Sequence, residues 1–128
     1  MKTKYLEVGR NKWGILLNYD FSDDDHHDIA AVMYSFGIGR KSIAKALSVL
    51  SDMDTGMAVS NDDLRMTSIY ISDATSESQW WSTLNHELFH ATTAIIDYYG
   101  EPYDEEPAAY LHGELMRLVV ENVAAPCR

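Results

Sequence analysis

The chain has 128 residues, 46% of them hydrophobic, which is enough apolar mass for one domain with a packed core. Its formal net charge of −10 speaks against a nucleic-acid partner, which needs a basic face, and against an anionic membrane surface. One cysteine, Cys127, rules out an internal disulfide framework and agrees with a reducing compartment.

The first ten residues hold Lys2 and Lys4 but no apolar run after them, so no signal peptide is expected. No stretch approaches the length of a membrane span, and a cytoplasmic protein is the expectation. Trp13 to Phe21 is apolar and β-prone and predicts a strand. Ser22 followed by Asp23, Asp24 and Asp25 predicts a helix start, with acidic residues at the positive end of the dipole. Ile29, Val32, Met33 and Phe36 recur at helical spacing, and Gly37 and Gly39 end that helix. A second helix follows, with Ile43, Ala46, Leu47 and Leu50 on its apolar face.

Asp54-Thr55-Gly56 is a turn, and 56–60 is a short strand candidate. Asn61-Asp62-Asp63 is another turn, and 66–72 alternates with strand period. A long helix is predicted from Glu77 to Tyr99, with Ser76 or Ser78 as cap and Gly100 as stop. Trp81, Leu84, Leu88, Ala91, Ile95 and Tyr98 make its apolar stripe, while Thr83, His86, His90, Thr93 and Asp97 form a separate polar stripe. Of Trp80 and Trp81, one is expected buried and one partly exposed, with Trp80 as a candidate wall of a substrate groove. A last helix is expected over 107–124, with Pro107 in its first turn, Leu111, Leu115 and Leu118 buried, and Pro126 as stop.

The long helix carries His86-Glu87-Leu88-Phe89-His90. Residues four apart lie above one another on a helix, so the two imidazoles aim at one point. That supplies two of the three protein ligands of a catalytic zinc site. Glu87 lies about 100° further round, where it can reach a metal-activated water without being a ligand. A surface helix that happens to carry two histidines is the competing reading, and context has to decide.

The third ligand is expected from the next helix, where Glu105 and Glu106 are adjacent candidates. Here the chain resembles the gluzincin metallopeptidases, in which a glutamate on a second helix follows this motif. It is similar in its small size to the ImmA/IrrE family and to small peptidases carried by phages and mobile elements. The resemblance rests on Thr83-Leu84, on the motif itself, and on Glu106 with Ala109-Tyr110-Leu111, and covers about the last 60 residues.

It implies an α+β zincin-like fold, a small mixed or antiparallel sheet with three or four helices. It also implies zinc held by His86, His90 and Glu106, Glu87 as general base, and a protein or peptide substrate. Glu105 stands as the alternative ligand. The strand over 66–72 stands where that fold keeps the edge strand that pairs with substrate. Larger gluzincins carry an aspartate where this chain has Tyr110; Tyr110 is a candidate for orienting a ligand or an oxyanion, or for helix packing. Gly113 is expected to let the last two helices approach closely. His112 and Tyr103 are further candidates for stabilising an oxyanion, with a surface histidine the plainer reading of His112.

Asp23-Asp24-Asp25-His26-His27-Asp28 also has metal-ligating residue types. Its adjacent histidines diverge on a helix and its spacing matches no calcium loop, so it reads as a solvated acidic helix start. Two further functional classes remain open: a zincin-like shell that binds without turnover, and a metal-free acidic module that docks a basic partner.

Overall fold

The computed structural model describes residues 1–9, 12–100 and 105–123, without the side chains of Glu105 and Glu106. The elements in chain order are β1 (Lys2–Val8), β2 (Trp13–Tyr19), α1 (His26–Ser35), α2 (Arg40–Leu50), β3 (Gly56–Asn61), β4 (Met66–Ile71), α3 (Glu77–Tyr99) and α4 (Glu105–Asn122). The architecture is α+β, a four-stranded mixed sheet packed with four helices. Among the described residues no helix is long and apolar enough to cross a membrane.

The sheet order is β1-β2-β4-β3. β2 and β4 are parallel, with Leu17 opposite Ile69, and the outer pairs are antiparallel. The strand over 66–72 is therefore an interior strand, contrary to its expected place at the edge. Its apolar content agrees with that position, since strands covered on both faces carry few exposed residues. The edge beside α3 is β3. β1 has no counterpart among the expected strands, because only Leu6 and Val8 of its seven residues are buried.

Strand alternation sends the two faces of the sheet to two cores. Ile15, Leu17, Tyr19, Ile69 and Ile71 pack under α3 and α4 with Trp80, Leu84, Leu88 and Leu115. Tyr70 faces the other way and joins Phe21, Ile29, Met33, Ile43 and Leu50 under α1 and α2. The Tyr70 hydroxyl donates to Ser68 at 2.9 Å, and burial pushes its pKa up to about 12.

The acidic start after Ser22 forms one 3-10 turn over Asp23–Asp25 before α1 begins. The Ser22 amide donates to the Asp25 carboxylate at 3.0 Å, and that hydrogen bond lowers the Asp25 pKa. His26 and His27 fall in the first turn of α1, and His26 Nε2 stands 3.3 Å from an Asp23 oxygen. This is local helix-start electrostatics, as expected.

α3 keeps its expected bounds. The Ser76 hydroxyl accepts from the Gln79 amide at 3.1 Å, and Gly100 closes the helix with φ 68°. Its buried face is displaced from the expectation. Trp80 is fully buried and Trp81 only partly so, which removes Trp80 as a groove wall; Tyr98 is exposed, its ring centroid 5.4 Å from that of Trp13. Leu84, Leu88, Ala91 and Ile95 centre the stripe, and Trp80 and Trp81 lie about 50° to either side of that centre. The sheet selects Trp80, which meets Tyr19 edge-on at 5.8 Å. α4 buries Leu111, Leu115 and Val119, with Leu118 half-buried, and Val123 is buried just past its end.

Candidate metal centre

His86 and His90 stand on the exposed side of α3, and their Nε2 atoms are 3.3 Å apart. Two nitrogens bound at ~2.05 Å to one tetrahedral zinc would stand about 3.3–3.4 Å apart. The pair thus fits a shared divalent ion as it stands, and an N–H···N hydrogen bond between the rings fits the same distance. Among the described residues no group of three His, Cys, Asp or Glu is close enough together to hold a metal ion. The side chains of the two expected third ligands, Glu105 and Glu106, lie outside the described residues, as does Tyr103.

Glu87 is the least expected feature. It is buried, 6% exposed, although it is a carboxylate beside two exposed histidines. Burial raises its pKa, and the neighbouring His90 and His86 oppose that shift. Its partner is the first residue of the edge strand. A Cβ on Gly56 would meet Thr83 Cγ2 at 2.8 Å and Glu87 Cγ at 2.9 Å, with Glu87 Oε1 at 3.2 Å. Only glycine admits this approach of strand to helix. Thr83, expected on the polar stripe, is buried by the same contact. The edge strand therefore holds the candidate base directly, and Gly56 is a site residue that sequence reasoning missed. Its signal was a glycine opening a short strand, which reads equally well as part of a turn.

On the other flank α4 is tied to α3 by His112. Its Nε2 lies 2.7 Å from Asn85 Oδ1, and its Nδ1 lies 3.3 Å from Thr92 Oγ1. With Asn85 Oδ1 as acceptor, Nε2 carries the hydrogen, and Nδ1 is left to accept from the Thr92 hydroxyl. The single hydrogen of that hydroxyl is shared between Nδ1 and the Leu88 carbonyl, which lies closer at 3.0 Å. The Phe89 ring meets the imidazole edge-on at 5.8 Å. Burial lowers the His112 pKa, which favours the neutral ring. His112 is thus a half-buried clamp with both nitrogens engaged, rather than a surface histidine; Asn85 and Thr92 are its unforeseen partners.

Tyr110 is 76% exposed and does not pack between helices. Gly113 is also exposed, and a Cβ there would meet no atom within 4 Å, so it does not serve close helix approach.

Between α3 and the segment leading into β3 lies a hollow of ≈ 380 Å³, with His86 and Glu87 at its inner wall. Asp54, Thr55, Gln79 and Ser82 supply most of its remaining lining.

No protein-family model matches the chain, and neither the curated proteins nor the solved structures contain a significant match to it.

Proposed function

We propose that the chain is a zinc-dependent metallopeptidase that hydrolyses peptide bonds of a protein or peptide substrate. The observation that carries this reading is the convergence of the two imidazole nitrogens at 3.3 Å, with a buried carboxylate one residue away. His86, His90 and Glu106 would hold the ion, with Glu105 as the alternative to Glu106. Zinc bound there would supply Lewis-acid polarisation of the scissile carbonyl and of a water.

Glu87 accepts the water proton and returns it to the leaving amine. Its buried setting suits both halves of that task. A carboxyl with a raised pKa holds a proton long enough to donate it, and the contact with Gly56 fixes where it does so. His112 holds α4, the helix that begins at Glu105, against α3.

Metal analysis of the purified protein tests the reading. One zinc per chain is expected, with its loss in His86→Ala and in His90→Ala and its retention in His26→Ala. A protein that binds no divalent metal would sink it. Zinc retained without hydrolysis of any peptide would leave the non-catalytic binding shell.

A further inference from the structure

The hollow beside Glu87 has a one-sided chemistry. Among the described residues no lysine or arginine lines it, and His86 is its one basic side chain. Its acceptors include the Asp54 carboxylate, the hydroxyls of Thr55, Ser82 and Thr83, and the Gln79 amide. Val49, 43% exposed, is its one aliphatic wall among the described residues.

Asp54 is held in place. Its Oδ1 accepts from the Thr75 amide at 2.9 Å, and its Oδ2 accepts from the Thr75 hydroxyl at 3.0 Å. Its φ of 62° is a left-handed value that aspartate and asparagine tolerate better than most residues. These hydrogen bonds orient the carboxylate without neutralising it, and no cation is paired with it among the described residues. A carboxylate accepts more than two hydrogen bonds, so capacity remains for an incoming donor.

We propose that this hollow is a substrate subsite for a basic side chain, lysine or arginine, one position from the scissile bond. The proposal rests on the peptidase reading for the identity of the scissile bond, but not for the cation specificity itself. Such a side chain has the two parts that the hollow offers to match. Its methylene stem lies on Val49, and its charged head reaches Asp54 and the surrounding hydroxyls. An acidic side chain would meet the oriented Asp54 carboxylate, with no lysine or arginine among the described lining residues to offset it; the one cationic centre there would be the ion held at His86. A leucine would fill the volume while leaving the acceptors of the rim unserved. The net charge of −10 adds long-range attraction for a basic peptide.

The test uses the zinc-loaded full chain and a set of N-acetylated, C-amidated fluorescent peptides that differ only in a central Lys, Arg, Leu or Glu. Anisotropy reads binding, and mass spectrometry reads cleavage of the same samples. Lys and Arg peptides are expected to bind about tenfold tighter than Leu, with Glu weakest, as for a hydrogen bond to a charged group. The advantage shrinks as ionic strength rises. Asp54→Asn tolerates the same backbone conformation, keeps an oxygen acceptor for the Thr75 amide and turns the Oδ2 acceptor into a donor that the Thr75 hydroxyl oxygen can accept, and is expected to erase the advantage while leaving bound zinc unchanged. Equal affinity across the set, no measurable binding at all, or an advantage that survives Asp54→Asn overturns the inference. Preference without cleavage would keep the subsite and sink the peptidase reading; cleavage without preference would do the reverse.

Discussion

The two flanks of α3 hold the candidate site by different means. Toward β3, Thr83 and Glu87 press on Gly56 at distances that leave no room for a methyl group. Toward α4, the apolar packing of Leu111, Leu115 and Val119 is joined at the candidate site by one imidazole with its two hydrogen bonds, and Gly113 and Tyr110 nearby on α4 are open to solvent. The first flank is fixed by sterics and carries the candidate base. The second adds polar pairing to its apolar packing and belongs to the helix expected to bring the third ligand. Steric contacts fail when volume changes, and polar ones fail when protonation changes, so the flanks separate under different perturbations.

The largest effect is expected from Glu87→Gln. Removing the general base should lower kcat by about 10²–10⁴-fold with zinc content unchanged, measured by peptide turnover and metal analysis. The same substitution should leave thermal stability equal or higher. A carboxylate whose charge is disfavoured by burial gives way to a neutral amide of the same shape. A gain in stability with loss of turnover is the pattern of a group placed for chemistry rather than for folding. A marked loss of stability would show that Glu87 is a structural residue.

Next in size is a pair of glycine substitutions that sets the flanks against each other. Gly56→Ala is expected to cost about 1–3 kcal/mol by overpacking, because the new methyl group meets Thr83 and Glu87 below 3.0 Å. Turnover should fall with it, since the displaced atom belongs to Glu87. Gly113→Ala is expected to stabilise by about 0.5–1 kcal/mol, since the position is helical, exposed and free of neighbours. Denaturant melts of both variants read the contrast. Equal and small effects would mean that β3 moves freely against α3.

What the sequence makes legible follows the range of the forces involved. The bounds of α3, its Ser76 cap and its Gly100 stop are local chemistry, and all three are found where they are expected. The convergence of His86 and His90 follows from helical pitch alone. The identity of the edge strand depends on β2 pairing in parallel with β4 some fifty residues later, and no local signal fixes that pairing. The burial of Glu87 follows from the edge strand, so it was hidden for the same reason. His112 was visible as a candidate, but its partners Asn85 and Thr92 depend on how α4 lies against α3. Trp80 and Trp81 were balanced by periodicity, and only the position of the sheet decides between them.

The smallest effect belongs to the polar flank and is read by pH. Burial holds the folded-state pKa of His112 below the ordinary 6.5. Between those two values the unfolded chain binds more protons than the folded one, so stability falls as pH drops. The contribution of neutral His112 is therefore fully present above about 6.5 and is lost as pH falls through the folded-state value. His112→Gln removes this titration, and its thermal melts should show a flatter dependence on pH than the wild type between neutral and mildly acidic conditions. Every other residue is common to both proteins, so the difference between the two curves isolates His112. Zinc affinity, measured at a pH where both proteins are fully folded, should fall in the variant if the clamp positions α4 for its ligand. It should stay unchanged if His112 serves folding alone.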